Sequence, residues 1–172
     1  ALLGQSGSGK STLLNIIAGF EHQDTGSFEY FGQTIFNKSK FVEPEKRNIG
    51  FVFQDYALFP HLTVGENIAF GINSEDTKIK ENKIKKLLSL VHLPNIIDQY
   101  PSSLSGGQQQ RVAIARVLAR ESELILFDEP FSSIDVLLKQ TLLEQIKLII
   151  KENNKTAIFV THDPREAIIL AD

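Results

Sequence analysis

The stretch Ala1-Leu2-Leu3-Gly4-Gln5-Ser6-Gly7-Ser8-Gly9-Lys10-Ser11-Thr12 opens the chain and decides its architecture. Ala1 to Leu3 reads as the end of a buried strand, the glycine-rich run as a turn, and Leu13, Leu14, Ile16 and Ile17 as the apolar stripe of a helix. From Gly4 to Ser11 the residues fit G-x-x-x-x-G-K-[ST], placed between strand end and helix start as the motif's mechanism requires. Its glycines let the backbone curl until successive N–H groups and the helix N-terminus face phosphate oxygens. Lys10 supplies a point charge and Ser11 an oxygen for Mg²⁺. Gly4, Gln5, Ser6, Gly7, Ser8, Gly9, Lys10, Ser11 and Thr12 are therefore the candidate phosphate cradle. A merely flexible Gly/Ser turn is the competing reading, and chance would produce the full pattern in roughly one chain of this length in a few hundred. The chain is expected to begin inside the first strand, as a fragment of a longer domain.

Working outward, Gly26 to Gly32 alternates Phe28 and Tyr30 with polar residues and predicts a half-exposed strand, and Ile49 to Phe53 predicts another. Between Asn73 and Leu93, Ile84, Leu87, Leu88 and Val91 recur at helical spacing among Lys78, Lys80, Lys83, Lys85 and Lys86, a solvated helix face rather than a phosphate patch. Ser105 to Arg120 reads as a helix, Leu124 to Phe127 as a buried strand, Lys139 to Asn153 as a helix and Thr156 to Val160 as a strand. Short apolar strands alternating with amphipathic helices indicate a parallel sheet covered on both faces, the α/β class.

Composition narrows the function classes. The 172 residues are 42% hydrophobic and 23% charged, which is ordinary for a globular domain and sufficient for a core. Lys and Arg number 18 against 21 Asp and Glu, so no bulk positive charge points to nucleic acid. Cysteine is absent, which removes disulfides and thiolate chemistry and fits a reducing compartment. Charged or amide residues interrupt every apolar run well short of the roughly 20 residues that a membrane span needs.

Leu124-Ile125-Leu126-Phe127-Asp128-Glu129-Pro130 places two adjacent carboxylates at the end of an apolar strand, where successive residues project to opposite sides. Asp128 is placed to hold Mg²⁺ and Glu129 to polarise the water that attacks a terminal phosphate. Alone, an Asp-Glu pair before proline is more often a loop beginning; the cradle upstream reverses that preference. In Leu104-Ser105-Gly106-Gly107-Gln108-Gln109-Gln110-Arg111, Ser105 reads as a helix N-cap with Gln108 completing a capping box. Gly106 and Gly107 are not explained by capping, since each costs about 1 kcal/mol relative to alanine unless something must approach the backbone.

Leu104 to Gln108 resembles the LSGGQ signature of the ABC ATPase family, and the family's other motifs follow in order across essentially the whole chain. Gln54 matches its glutamine loop, Ser132-Ser133-Ile134-Asp135 its aspartate loop, with Ile134 where leucine is usual, and Thr161-His162-Asp163 its switch histidine. The resemblance implies an ATPase in which two domains face each other head to tail. Each ATP then lies between the cradle of one and Ser105, Gly106, Gly107 and Gln108 of the other. It implies further that Gln54 contacts Mg²⁺ and the attacking water, that His162 contacts the γ-phosphate, and that Asp135 communicates across the pair. Read from the residues alone, Gln54 is a surface amide. Asp163, Pro164 and Glu166 read as N-cap, first-turn proline and capping-box acid, which leaves His162 free for chemistry. His22, His61 and His92 have no partner pattern and read as structural or exposed.

Tyr56, Leu58 and Phe59 fall in a segment, Asp55 to Val64, that reads as a loop, where large apolar side chains either fill local core or form a docking surface. By resemblance this region receives a helix from a transmembrane subunit. Its wording is most similar to ATPase subunits of bacterial ferric-iron importers, with polyamine, sulfate and molybdate types close behind. The family's adenine-stacking aromatic lies upstream of the cradle and is not in this sequence. The resemblance thus implies one P-loop NTPase domain over residues 1–172, with a mostly parallel sheet, an antiparallel strand region and an inserted helical subdomain at about 73–116. The expected cofactors are ATP and Mg²⁺. Expected partners are a second copy, transmembrane permease subunits and, indirectly, a solute-binding protein, with no nucleic acid. The expected location is peripheral, on the cytoplasmic face of the inner membrane. Ribosome- or chromosome-associated ABC ATPases and an ABC exporter domain are the alternatives; chromosome types insert a long coiled coil that this sequence lacks. A small-molecule P-loop kinase would have no reason for the serine-diglycine helix or Gln54.

Overall fold

In the computed structural model, which describes residues 1–5 and 7–171, four strands form one parallel sheet in the order β1-β6-β5-β4. The strands are β1 (Leu2–Leu3), β4 (Ile49–Val52), β5 (Leu124–Asp128) and β6 (Thr156–Thr161), and every pairing between neighbours is parallel. An antiparallel pair, β2 (Phe28–Tyr30) and β3 (Gln33–Phe36), stands apart from it. The helices are α1 (Lys10–Ala18), α2 (Val64–Ala69), α3 (Thr77–Leu90), α4 (Gly106–Ala119), α5 (Val136–Glu152) and α6 (Pro164–Leu170). No helix among the described residues is long and apolar enough to cross a membrane.

The sheet separates two apolar cores, and β5 shows why its sequence is a continuous apolar run. Leu124 and Leu126 point into the layer beneath α1, with Leu14, Ile17, Phe51 and Val160. Ile125 and Phe127 point into the layer formed with α4 and α5, beside Ile114, Leu142 and Ile146. All five β5 residues are buried, and each large apolar side chain buried this way contributes about 1.5–3 kcal/mol. Phe127 stacks on Phe159 of β6 at 4.2 Å between ring centres. At Gly50 of β4 a Cβ would stand 2.8 Å from the Val117 side chain, so glycine there lets α4 lie close against the sheet.

The expected elements are present with shifted ends. The strand expected over Gly26 to Gly32 contracts to β2, and β3 after it has no counterpart in the periodicity reading. Phe53 lies beyond β4. The helix expected from Lys139 starts at Val136, because the Asp135 carboxylate caps it by accepting the Leu137 N–H at 2.9 Å. That start leaves Val136 and Leu137 exposed, which is why an apolar stripe could not announce it. The lysine-rich helix runs from Thr77, capped by Asp76, and buries Ile84 and Leu88 as the spacing predicts. Val64, read as the end of a loop, begins α2 with a capping box between Thr63 and Glu66.

Arg47 ties the antiparallel region to α1. Its side chain is 1% exposed. Nη1 donates to the Ile16 and Ile17 carbonyls at 2.8 and 2.7 Å, and Nε donates to Val42 O at 2.7 Å. The guanidinium lies over the rings of Phe36 and Phe41. It therefore satisfies Ile17 O at the end of α1 and shares Ile16 O with the Gly19 N–H of the C-cap. Gly19 makes room for it: φ there is +94°, and a Cβ would stand 2.6 Å from Arg47 Cζ. We expect Arg47→Met to lower unfolding free energy by about 3 kcal/mol, since buried carbonyls lose a charged donor. Urea unfolding measures this, and a loss under about 1 kcal/mol would show that the guanidinium is dispensable to the packing.

Candidate functional site

All four strands of the main sheet run the same way, so the segments that follow them collect at one edge. The cradle follows β1, Gln54 follows β4, Glu129 follows β5 and His162 follows β6. Open parallel sheets bind ligands at this edge.

In the cradle, Gly7 and Gly9 have φ of +81° and +87°, and a Cβ at either would meet nothing within 4 Å. Glycine is needed there for backbone conformation rather than for space. Ser6 lies outside the described residues. Gly9 occupies the N-cap of α1 and offers no side-chain cap, which leaves the first-turn N–H groups, those of Lys10, Ser11 and Thr12, to an outside acceptor. Lys10 Nζ reaches back over the loop, donating to Gly4 O at 2.8 Å, Gln5 O at 2.7 Å and Ser8 Oγ at 3.3 Å. The cradle thus gathers a cation, a helix N-terminus and backbone donors, the set that recognises a polyphosphate.

Ser11 Oγ donates to Asp128 Oδ1 at 3.0 Å, which links cradle to acidic pair. Asp128 is 7% exposed. Burial pushes its carboxyl above the usual carboxylate range and neighbouring Glu129 adds to the rise, while the Ser11 hydroxyl and Lys10 oppose it. A buried carboxylate held in this way gains from a nearby divalent cation. Gln54 and Asp128 line the same open cleft with Asn15, Phe51, Phe53 and Asp55. Ser11, Asp128 and Gln54 are all oxygen donors, which suits Mg²⁺. No group of three or more His, Cys, Asp or Glu that could hold a metal occurs among the described residues; a cation on Ser11 and Asp128 would complete its shell with phosphate and water, as Mg²⁺ commonly does.

Glu129 diverges from Asp128 by a route that strand alternation did not anticipate. Its φ is +46°, so the chain turns sharply after β5. Its N–H donates to Val160 O at 3.0 Å, and its Oε2 lies 3.0 Å from His162 Nδ1. The His162 side chain is 59% exposed and that of Glu129 18%, so the pair opens to solvent on the histidine side. Asp163 caps α6 as expected, accepting the Arg165 N–H. Glu166 does not close a capping box. It is buried, accepts the Thr161 hydroxyl at 2.6 Å and pairs with Lys139 of α5 at 2.8 Å. The Asp163 N–H donates to Thr161 Oγ1 instead. A carboxylate in that position reads identically in sequence, and only the arrival of α5 redirects it. The segment carrying His162 is thereby tied to the helix that Asp135 caps.

The serine-diglycine start is capped as expected. Ser105 N–H donates to Gln108 Oε1 at 2.9 Å and Gln108 N–H to Ser105 Oγ at 3.4 Å. Gly107 has an explanation inside the chain: a Cβ there would stand 2.7 Å from Ser133 O. Gly106 is exposed, with only Tyr56 OH near the position of a Cβ, at 3.5 Å. Among the described residues no hydrogen bond joins Ser105, Gly106, Gly107 or Gln108 to the cradle of the same chain.

Of the loop aromatics, Phe59 is half-buried against Phe70 at 4.9 Å and lies under the Arg116 guanidinium. Leu58 packs against the α4 and α5 core, and Tyr56 OH donates to Ser133 Oγ at 2.6 Å. Tyr56 and Ala57 both have positive φ, and Arg116 accounts for it by donating to both carbonyls. Phe59, Ala57, Phe53, Phe20 and Phe70 line a largely apolar groove on this face. Asn67, fully buried, holds the loop with an amide bonded to Phe59, Leu62 and Thr63. Sequence reasoning missed Arg116, Asn67 and Phe70. Arg116 and Asn67 are polar residues at helix positions whose partners lie far along the chain or across a turn, and no spacing rule flags them.

The family model described as ABC transporter matches residues 1–132. The chain is 46% identical to the sulfate/thiosulfate import ATP-binding protein of Escherichia coli (strain K12), with all of this chain and 48% of that protein aligned. It is 49% identical to the protein of the same description from Synechocystis sp., again over all of this chain and 48% of the relative. The chain thus spans about half the length of these curated relatives. Among solved structures, an ATP-binding cassette determined as a dimer in a post-hydrolysis state bound to ADP and Pi superposes with a TM-score of 0.86 at 33% identity, over 97% of this chain and 75% of that one.

The raised Asp128 carboxyl has a stability consequence with a definite sign. The native state holds that proton more tightly than the unfolded chain, so stability falls as pH rises from the ordinary carboxylate range through the native value. Above that window the buried charge disfavours the fold. Asp128→Asn should therefore raise the melting temperature of the nucleotide-free protein at neutral pH, with the gain shrinking as the pH is lowered into the carboxylate range. An unchanged or lower melting temperature at neutral pH would count against this account of the site.

Proposed function

Since the chain belongs to the ABC transporter family, we propose that it is the ATP-hydrolysing part of a bacterial importer, working as a pair of copies against membrane subunits. The observation that carries the reading is the convergence at one sheet edge of the cradle, the Ser11–Asp128 link and the Glu129–His162 pair. Gly4 to Thr12 bind the ATP phosphates, with Lys10 giving up its loop carbonyls for them. Ser11 and Asp128, with Gln54 on the same cleft, hold Mg²⁺, which when bound neutralises charge on the transferring phosphoryl group. Glu129 orients the attacking water and accepts its proton. His162 holds the Glu129 carboxylate and faces the terminal phosphate from the exposed side.

Pairing is supported by the exposed Ser105–Gly106 face, which has a capped helix N-terminus and no bond to its own cradle. Dimeric cassettes among the structural relatives support it too. In a head-to-tail pair, Ser105, Gly106, Gly107 and Gln108 would close over the partner's nucleotide, with Asp135 beside the shared interface. We assign the apolar groove around Phe59 and Phe70 to a membrane subunit, with Tyr56 and Leu58 fixing the loop from beneath. The layer of α2, α3 and α4, including the expected 73–116 subdomain, would carry the groove's motion to the serine-diglycine end. Such a protein sits peripherally on the cytoplasmic face of the inner membrane, and a solute-binding protein meets it only through the permease.

For the cargo, the names of the Escherichia coli and Synechocystis relatives favour sulfate or thiosulfate. Ferric iron, to which the wording of the loop and signature segments points by resemblance, draws no support from those relatives. Uptake of radiolabelled sulfate, thiosulfate and ferric iron into ATP-loaded vesicles, with the full-length protein and its membrane subunits, separates these. Sulfur-oxyanion uptake abolished by Lys10→Ala is the expected result, whereas iron uptake with the same dependence would reverse the cargo assignment. In the same system Glu129→Gln should retain ATP and accumulate as a closed dimer, with hydrolysis reduced at least a hundredfold. A variant that stays monomeric with ATP would remove the paired-site mechanism.

A further inference from the structure

Gln110 sits one turn into α4 and is 1% exposed. A buried primary amide must place two N–H donors and a carbonyl acceptor, and all of its partners lie on the segment that begins with Glu129. Nε2 donates to Glu129 O at 3.3 Å and to Ser132 Oγ at 3.3 Å, and Oε1 accepts the Ser133 N–H at 3.1 Å. Glu129 itself has φ of +46°, a conformation that residues with a side chain rarely adopt and that persists only where the surroundings impose it. Its peptide groups are held on two sides, with the N–H bonded to Val160 O of β6 and the C=O bonded to Gln110. Between those two holds the carboxylate reaches His162. The Glu129 carbonyl also accepts the Ser132 N–H of the same turn at 3.3 Å, so Gln110 is the side chain among the described residues that bonds it from outside the turn.

Resting on the reading of Glu129 as the group that activates water, we propose that Gln110 is a positioning residue: it fixes the left-handed turn that aims the Glu129 carboxylate at His162, and it ties that turn to α4. The same helix begins at Ser105 to Gly107, the end assigned to the partner's nucleotide. Gly107 packs against Ser133 O, one residue from the serine whose hydroxyl Gln110 also bonds. A shift of α4 when the pair closes therefore reaches the Glu129 turn directly through this buried amide.

The test uses the full-length protein with its membrane subunits and compares Gln110→Met, which keeps length but loses all three hydrogen bonds, alone and combined with Glu129→Gln. Gln110→Met is expected to lower kcat for ATP hydrolysis tenfold or more while KM for ATP stays within about twofold, which a general loss of packing would not produce. In the Glu129→Gln background the same substitution should cause no further fall in residual kcat, because both act through one carboxylate. Full kcat in Gln110→Met, or an equal fold loss with Glu129→Gln already present, overturns the proposal. ATP binding by each variant reports folding, and Gln110→Leu, assayed below its melting temperature, takes the place of Gln110→Met if that variant fails to bind ATP. Failure of the unsubstituted protein to hydrolyse ATP, or full activity in Glu129→Gln, defeats the reading of Glu129 and the proposal with it. Activity lost in Glu129→Gln but kept in Gln110→Met defeats the proposal alone.

Discussion

Parallel pairing through β5 is the constraint on which the other features depend. A strand paired on both edges and buried on both faces must be apolar along its length, and Leu124 to Phe127 satisfies that. The first residue that can be polar is the one at which the strand leaves the sheet. In an all-parallel sheet those exits share an edge, so the constraint that makes β5 apolar also brings Asp128 and Glu129 beside the ends of β1, β4 and β6. Chemistry is concentrated where apolar packing stops.

At that edge the protein keeps groups whose environments disfavour them in isolation. Asp128 is a buried carboxyl next to a second carboxylate, Glu129 stands in a left-handed backbone conformation, and the Lys10 cation is folded onto its own loop. The two carboxylates are held by neighbours from other elements, Asp128 by Ser11 on α1 and Glu129 by Gln110 on α4 and by Val160 on β6, while Lys10 is held by the oxygens of its own loop. Glu166 and Lys139 likewise hold the segment carrying His162, with a partly buried ion pair completed by the Thr161 hydroxyl. An ion pair of this kind adds little net stability compared with apolar packing; its consequence here is geometric, because it sets where β6 ends and α6 begins relative to α5.

Legibility follows the range of the interactions. The cradle, the Ser105–Gln108 capping box, the lysine-rich helix and the β5 run were readable because each depends on residues a few positions apart. The early start of α5 is hidden in the sequence, since its first turn, Val136 and Leu137, is exposed and its cap, Asp135, also fits the aspartate-loop pattern. Glu166 fitted a local capping pattern and was claimed by Lys139 across 27 positions of sequence. Gly107 reads in sequence as a place of close approach, and within the chain the group that comes near it is the Ser133 carbonyl.

The sequence by itself determined that this is an α/β chain with a phosphate cradle ahead of a helix, an acidic pair at a strand end and the ordered motifs of one ATPase family. Those properties are set by local backbone preference and by hydrophobic period, which act between near neighbours. Only the tertiary structure decided that Asp128 turns to Ser11 while Glu129 turns to His162, that Gln110 holds the turn between them, and that Arg116 and Asn67 shape the loop at Phe59. The physical reason is that a polar side chain removed from water must find its hydrogen-bond partners wherever packing brings them, and packing joins residues that the chain itself keeps far apart.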